Sequence, residues 1–273
     1  MDWQLLPIFL AIGCVVGFLA GLLGVGGAMT MIPVLTAIFT REGFPPEHLV
    51  HIAVATSLAT IMFTSLSSMR AHAKRGAVLW HVVWALAPGV VVGSLAGPQI
   101  VAGMSSGLVA ALFAAFTWLA AAQILLNREP KATRELPGKP GLFGVGATIG
   151  VVSSMVGAGG AFLSVPFMIW CNVRVRNAVA TSAAIGFPIS AAGTVGYVVA
   201  GLRQASLPPL TVGYVNLPAL GGIVIASMLT APVGARLAHR WPVLRLRRAF
   251  AFLLFAIGAY MLWKAAGLAG LGA

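Results

Sequence analysis

The stretch LLGVGGAMTMIPVL, residues 22–35, interrupts the first apolar segment of the chain. It brings Gly24, Gly26 and Gly27 close together and places Pro33 six residues beyond them. Glycine is a poor helix former, and a proline inside a helix removes a hydrogen bond. Glycine also permits the positive φ angles and close backbone approaches that other residues disfavour. The stretch therefore predicts a membrane helix that is broken into two pieces.

The composition indicates an integral membrane protein. Of the 273 residues, 59% are hydrophobic and only 8% are charged, whereas soluble domains carry about a quarter charged residues. Apolar runs such as 78–101 and 104–126 reach the roughly 20 residues that a helix needs to cross the hydrocarbon core. Cys14 and Cys171 have no spacing for metal or disulfide chemistry, so neither a metal nor another cofactor is expected.

The net charge of +12 does not predict a nucleic-acid partner. Such a partner needs a basic face on a soluble domain, whereas here the basic residues lie in short loops between apolar runs. Basic residues in such loops orient membrane helices relative to the two sides of the bilayer. The lipid bilayer is therefore the expected surrounding of the chain.

The chain contains an internal duplication. The two copies share a GxGGA motif, a proline at matched spacing and an AVATS stretch, which are 24–28, Pro33 and 53–57 in the first copy and 157–161, Pro166 and 178–182 in the second. Matches that recur in one order indicate a repeat rather than chance composition. We predict one membrane domain, 1–273, made of repeat 1 (1–126), a cytoplasmic linker (127–141) and repeat 2 (142–273).

Each repeat is expected to hold one broken segment followed by three membrane helices. The expected segments are 5–40 (broken), 50–69, 78–101 and 104–126 in repeat 1, and 142–171 (broken), 178–200, 210–235 and 248–263 in repeat 2. The two pieces of the second broken segment would rise about 22 Å and about 16 Å. Neither crosses about 30 Å of hydrocarbon alone, although both in series could. Length therefore allows either one kinked crossing or a hairpin.

The basic residues favour the hairpin. If each broken segment crosses once, nine Lys and Arg residues lie on one side and eight on the other, which is no bias. If each returns to its starting side, only Arg41, Arg203 and Lys264 lie on one side and the other fourteen share the opposite one. Basic residues concentrate on the cytoplasmic side. Both termini are then outside and the two repeats have inverted topology, although two full-length crossings per broken segment would give the same parity.

These features predict an all-α polytopic membrane protein with two inverted-topology repeats, each made of a Gly-broken, re-entrant helix pair and three transmembrane helices. Inverted repeats with a discontinuous helix in each half are typical of secondary transporters, which bind substrate near the midplane between the breaks. Non-helical backbone at that depth is tolerated where it lines a polar cavity or is buried in protein.

The polar groups inside the predicted spans suit a small anion. The five acidic residues, Asp2, Glu42, Glu47, Glu129 and Glu135, all lie outside the spans, and a cation site would be expected to include a carboxylate. The spans offer hydroxyls, the amides of Gln123 and Asn216, and Tyr197 and Tyr214. Half-helices beginning after Gly27 and Gly160 would direct unpaired N–H groups at the cavity.

Each of these features also has a structural explanation. Glycines in membrane helices often provide close packing, although the matched pair of breaks favours a site here. Any single hydroxyl commonly bonds back to its own helix, so the duplicated AVATS stretch is the stronger candidate. The five histidines lie at predicted loop or helix ends, where an interfacial role is expected rather than proton relay.

The sequences GLLGVGGAMTMIPVL and SSMVGAGGAFLSVPFM, each followed by AVATS, resemble the TauE/SafE family of sulfite exporters over nearly the whole chain. The resemblance implies a bacterial inner-membrane carrier that exports sulfite, a sulfonate such as sulfoacetate, or a related organic anion. It implies a substrate site formed by Gly26, Gly27, Thr56, Ser57, Gly159, Gly160, Thr181 and Ser182. Gly24, Pro33, Gly157 and Pro166 would be structural hinges.

Other classes of function compete with a carrier. An anion channel would need one continuous pore between the halves. A carrier for another small organic anion would use the same features. An intramembrane enzyme would need a nucleophile or general-base constellation, and the predicted spans contain none. We therefore expect a transporter and not an enzyme.

Overall fold

The computed structural model of the chain describes residues 5–23, 28–126, 134–204, 206–238 and 243–270. Within these ranges lie ten α-helices and one two-stranded ribbon. The helices are α1 (Leu5–Leu23), α2 (Ala28–Arg41), α3 (Leu49–Lys74), α4 (Trp80–Ala102), α5 (Ser106–Leu126), α6 (Lys139–Met155), α7 (Ala161–Trp170), α8 (Val175–Gly201), α9 (Leu217–Ala238) and α10 (Val243–Gly270). The strands β1 (Thr211–Val212) and β2 (Val215–Asn216) pair antiparallel between α8 and α9.

The all-α polytopic class predicted from composition is confirmed. The helices α3, α4, α5, α8 and the segment 248–268 of α10 are each long and apolar enough to cross a membrane. Two shorter helices and then three more occur in each half of the chain, in the order that the duplication predicts. The lengths of the described helices thus match a membrane bundle with one broken segment per repeat.

Two boundaries differ from the prediction. The last residues of the predicted linker begin α6, because Pro140 occupies the first turn of a helix, where its missing N–H costs nothing. The predicted helix over 210–235 begins only at Leu217, because the preceding residues form the ribbon. Leu210 and Gly213 have φ angles of +61° and +55°, which a helix cannot contain.

Helices from different repeats pack in matched pairs. The first helix of each repeat lies against the fourth helix of the other, so that α1 packs on α9 and α6 packs on α4. Glycines allow the close approach of α4 and α6. A Cβ on Gly146 would lie 2.5 Å from Leu86 O, and one on Gly93 would collide with Ala147 O. Backbones that approach this closely are typical of small-residue interfaces in membranes.

The order of these contacts gives the helix directions. Along α4, Gly89 meets Phe143 and Gly97 meets Val151 and Ser154, so α4 and α6 run parallel. Asn177 donates to Ala77 O at the beginning of α4, and Gly196 meets Pro98 near its end, so α8 also runs parallel to α4. Since α6 and α8 share one direction, α7 must run back between them.

The segment α6–α7 is therefore a hairpin. Its two ends meet, because Arg134 N–H, before α6, donates to Trp170 O at the end of α7 over 3.3 Å. The Arg134 guanidinium also lies 4.5 Å from the centre of the Trp170 ring. The ten residues of α7 rise about 15 Å, which is half of the hydrocarbon thickness.

The equivalent third helices, α3 and α8, pack against each other at the centre of the fold. A Cβ on Gly193 would touch Leu58, and one on Gly186 would touch Ser65, so the two helices run antiparallel. The inverted topology of the two repeats stays a prediction, for which opposite directions of equivalent helices are one requirement. The α6–α7 hairpin reaches this central contact with its non-helical turn.

Candidate functional site

The turn of the hairpin, residues 156–160, lies between the central helices of both repeats. A Cβ on Gly157 would meet Ile32 of α2 and Val54 of α3, and one on Gly159 would meet Ile61 of α3. On the other side, a Cβ on Gly186 of α8 would lie 3.3 Å from Gly159 O. The predicted site glycines of repeat 2 are therefore at the interface between the repeats.

Glycine is required at two positions of this turn. Gly157 and Gly160 have φ angles of +64° and +78°, in the left-handed region that other residues rarely adopt. A Cβ on Gly160 would collide with Ile189 of α8. Pro166, by contrast, lies inside continuous α7, as Pro33 lies inside α2. The chain thus reverses at the glycines, several residues before the proline that we expected to act as a hinge.

The beginning of α7 lies at this interface. Gly160 is the N-cap residue, and no side chain caps it. Gly160 O accepts the N–H groups of Leu163 and Ser164, so the N–H groups of Ala161 and Phe162 precede the first bonds of the helix. A helix N-terminus with exposed N–H groups carries about half a positive charge and attracts anions.

Four buried polar side-chain atoms in the described ranges have no hydrogen-bond partner. They are Ser57 Oγ, Ser153 Oγ, Tyr214 OH and Asn216 Nδ2. Each belongs to a group that can donate a hydrogen bond, and none is an acid. Burial also raises the pKa of Tyr214, which keeps its hydroxyl protonated. An unpaired buried donor costs about 1–3 kcal/mol, so four in one protein require an explanation.

Ser153 lies beside the turn, and chains of contacts link Tyr214 and Asn216 to it. Ser153 Oγ lies 3.5 Å from the position that a Gly160 Cβ would take. The next residue, Ser154, accepts a hydrogen bond from Tyr197 OH through its carbonyl, and the Tyr197 ring packs edge-on against Tyr214 at 6.3 Å. Asn216 N–H in turn donates to Thr56, which adjoins Ser57 on α3. Ser153 is thus the unpaired donor that these contacts place beside the turn, whereas Tyr214 and Asn216 lie in the ribbon and are linked to it through Tyr197 and Thr56.

The two AVATS threonines make equivalent contacts across the repeats. Thr56 Oγ1 accepts the N–H of Asn216, directly before α9, and Thr181 Oγ1 accepts the N–H of Leu79, directly before α4. Both distances are 3.0 Å, and both threonines are fully buried. Each threonine therefore holds the beginning of the fourth helix of the other repeat. The hydroxyl oxygen of each threonine thus already accepts a hydrogen bond in this structure.

The two AVATS serines differ from each other. Ser182 Oγ lies 2.7 Å from Ser164 Oγ of α7, so these hydroxyls are paired. Ser57 has no such partner, because the residue equivalent to Ser164 in repeat 1 is Met31. The remaining predicted site residues, Gly26 and Gly27, and the predicted hinge Gly24 lie outside the described residues; α2 begins directly after them, at Ala28.

Sequence reasoning missed one of the unpaired donors, Ser153, although it lies only four residues before the GAGGA motif. It considered Tyr214 and Asn216 only as polar residues inside or near spans. The position of His51 near a predicted helix end suggested a role at the membrane–water interface, whereas the structure buries this side chain inside the protein, with 1% of its surface exposed. None of the described residues forms a group of three or more potential metal ligands.

Comparisons with known proteins agree with the membrane architecture. The sequence model described as "Sulfite exporter TauE/SafE" matches residues 9–261. A "Probable membrane transporter protein" of Haemophilus influenzae is 30% identical over 257 residues, covering 93% of this chain and 97% of the relative. A probable membrane transporter of Bacillus subtilis is 28% identical over 90% of this chain and 95% of its own length. A probable membrane transporter of Methanocaldococcus jannaschii is 26% identical over 94% of this chain and 96% of its own length. No solved structure matches the chain significantly.

Proposed function

Because the chain belongs to the TauE/SafE family of sulfite exporters and is therefore a multi-pass membrane transporter, we propose that it carries a small sulfur-containing anion across the bacterial inner membrane. The candidate substrates are sulfite, sulfoacetate and other organosulfonates. The anion binds between the α6–α7 turn and α3. The observation that carries this proposal is the pair of buried, unpaired hydroxyls of Ser153, beside Gly160 at the beginning of α7, and of Ser57, on α3 between two residues that contact the turn.

The site has the chemistry that an anion needs. Ser57, Ser153 and Asn216 can each donate to an oxyanion, and the first N–H groups of α7 add donors with a favourable dipole. Hydrogen bonds to a charged group contribute about 1.5–3 kcal/mol each. No Asp or Glu is buried in the described ranges, so no carboxylate repels the ligand. A bound anion would give every unpaired donor at the turn a partner.

The arrangement of the helices favours a carrier that works by alternating access. The site lies where the antiparallel helices α3 and α8 of the two repeats meet, and an alternating-access carrier binds its substrate at such an interface between repeats. An anion that moves without a coupled ion would leave the cell down the membrane potential, which is worth about 2.3 kcal/mol per charge at 100 mV. A channel would need a pore open to both sides, whereas α3 residues 49–61 are buried without interruption.

Replacing Ser57 by alanine should weaken anion binding without destabilising the protein. Its hydroxyl has no partner in the structure, so the substitution breaks no hydrogen bond of the unbound state. The loss of one donor to a charged ligand predicts an affinity about 10- to 100-fold lower. The measurement is thermal stabilisation of detergent-solubilised protein by a panel of anions containing sulfite, sulfoacetate and isethionate.

Two matched variants separate the site from its surroundings. Ser190→Ala removes a buried hydroxyl of α8 that bonds only to its own helix, so affinity should stay unchanged. Thr56→Val removes the acceptor of Asn216 N–H and should lower the free energy of unfolding by about 1–3 kcal/mol. Equal affinity of the Ser57→Ala variant and the wild type for every stabilising anion would argue against the proposed site.

The same proposal places both termini outside and the linker in the cytoplasm. A single cysteine at position 43, in the turn after α2, should then react with a membrane-impermeant thiol reagent added to intact cells. One at position 172, after α7, should react only in inside-out vesicles. The experiment needs a background in which Cys14 and Cys171 are replaced by serine. Labelling of both positions from one side would contradict this topology.

A further inference from the structure

Among the described residues, His51 is the only buried side chain that can carry a positive charge. It is the third residue of α3 and lies one and a half turns before Thr56 and Ser57. The described core contains no buried Lys, Arg, Asp or Glu. A single ionisable imidazole in such surroundings is expensive to retain unless it has a function.

Both ring nitrogens of His51 have oxygen partners. Nε2 lies 3.0 Å from Val101 O, and Nδ1 lies 3.3 Å from Ser106 Oγ. Ser106 Oγ is also 2.7 Å from the backbone oxygen of Glu47, to which it donates. Since a carbonyl only accepts, Nε2 must carry a hydrogen. The remaining question is where the single hydroxyl hydrogen of Ser106 points.

Only the imidazolium satisfies all three contacts together. If His51 is neutral with its hydrogen on Nε2, both Nδ1 and Glu47 O are acceptors, and the single hydroxyl hydrogen of Ser106 can be donated to only one of them. The contact of Ser106 Oγ with the other acceptor then contains no hydrogen. If Nδ1 is also protonated, it donates to Ser106 Oγ, and Ser106 donates to Glu47 O. The surroundings of His51 therefore provide a place for one additional proton.

Among the described residues, the groups that contact His51 supply no negative charge to offset an imidazolium, and a charged His48 would repel it. The Tyr214 ring stacks on the imidazole with centroids 5.3 Å apart, and the His48 ring lies edge-on at 6.1 Å. Glu47 contributes its backbone carbonyl, and this residue is exposed. The contacts from α4 and α5 come from Val101 O and the Ser106 hydroxyl, neither of which is charged. His48 and Tyr214 are thus the titratable side chains whose rings face His51.

We propose that His51 is a proton-binding site coupled to the anion site, so that a proton is carried together with the anion. The inference rests on the proposed function and adds the coupling ion. The proton binds Nδ1 of the neutral imidazole, and it leaves from the same atom when the anion is released. A monovalent anion and an imidazolium together add no net charge to the loaded carrier, which lowers the cost of moving either through the protein. The anion and proton gradients, and not the membrane potential, then drive the coupled flux.

A chain of contacts through the ribbon joins the two sites. Tyr214 stacks on His51, and Asn216, two residues further along the ribbon, binds Thr56 beside Ser57. An anion held by Ser57 and Asn216 is therefore linked to the imidazole ring through the ribbon, whose Tyr214 packs on His51. Coupling must be reciprocal: the anion favours proton binding to the same extent that the proton favours anion binding.

The test follows proton movement in proteoliposomes that contain a pH-sensitive dye. The probe is isethionate, whose sulfonate stays ionised between about pH 5.5 and pH 8, so that it cannot itself carry the proton. With the membrane potential clamped, an inward isethionate gradient should acidify the lumen of liposomes with the wild-type protein. His51→Gln, whose amide can still donate to Val101 O, should abolish the acidification. His81→Gln, an exposed histidine at the beginning of α4, should behave as wild type.

A second variant tests the hydrogen-bond chain itself. Ser106→Ala removes the acceptor of the Nδ1 proton, so the pH at which proton-coupled flux is half-maximal should move to more acidic values. Isethionate flux without acidification, or acidification that persists in His51→Gln, would overturn the proton site and leave anion transport intact. If neither isethionate nor any other anion of the panel moves, the proposed function itself fails.

Discussion

Replacing Gly160 by alanine is expected to reduce anion flux at least 10-fold in a protein that still folds. Gly160 has a φ angle of +78°, and its Cβ would enter the space between Ile189 and Ser153 Oγ at the beginning of α7. The left-handed conformation costs about 1–2 kcal/mol for a residue with a Cβ. The neighbouring Ile189 Cδ1 is the end of a flexible side chain and can move aside. The added methyl group then occupies the place where the anion meets the α7 donors.

Gly43 provides the matched control for this experiment. Its φ angle is +72°, and a Cβ there would meet nothing within 4 Å. Gly43→Ala therefore introduces the same kind of backbone strain far from the turn. Flux through the Gly43→Ala variant should remain near that of the wild type when equal amounts of folded protein are reconstituted. A similar loss in both variants would mean that strain, and not the site, causes the effect.

A large effect on stability is expected for Gly146→Ala in α6. A Cβ at this position would lie 2.5 Å from Leu86 O and 3.1 Å from Val90 N, and these backbone atoms cannot move without separating α4 from α6. Overpacking of this kind costs about 1–3 kcal/mol, and more where backbone must shift. We expect the midpoint of thermal unfolding in detergent to fall by about 2–10 °C.

The variant Gly144→Ala, in the same helix, is the control that changes helix propensity without changing the α4–α6 packing. A Cβ at Gly144 would meet nothing within 4 Å, so alanine there changes only the intrinsic preference for helix. That preference favours alanine by up to about 1 kcal/mol. Gly144→Ala should therefore unfold at or above the wild-type temperature. If the two variants unfold at the same temperature, the close α4–α6 contact is not present in solution.

The architecture could be predicted because its signals are local. Apolar runs of membrane length, a glycine-rich break and an AVATS stretch are each readable within a few residues, and their recurrence reveals the duplication. The hairpin could be favoured by counting basic residues, since orientation depends on loop charge rather than on packing. The ribbon over 211–216 was missed because its turn lies within a run of mostly apolar residues.

The use of each hydroxyl could not be predicted, because it depends on partners that are distant in sequence. Thr56 and Thr181 are bound by N–H groups 160 and 102 residues away, across the repeat interface. Ser57 and Ser182 occupy equivalent positions, and only the structure shows that one is paired with Ser164 and the other is unpaired. The burial of His51 likewise results from contacts with Val101 and Ser106, about fifty residues further along the chain.

Counterflow in proteoliposomes tests the central claim most directly. Liposomes loaded with unlabelled sulfite or sulfoacetate are diluted into a trace of the same anion carrying a radioactive label. A carrier that binds the anion at the α6–α7 turn should accumulate the label transiently above equilibrium, and the Gly160→Ala variant should accumulate at least 10-fold less. Absence of accumulation for every anion tested, or equal accumulation by the Gly160→Ala variant, would contradict the account.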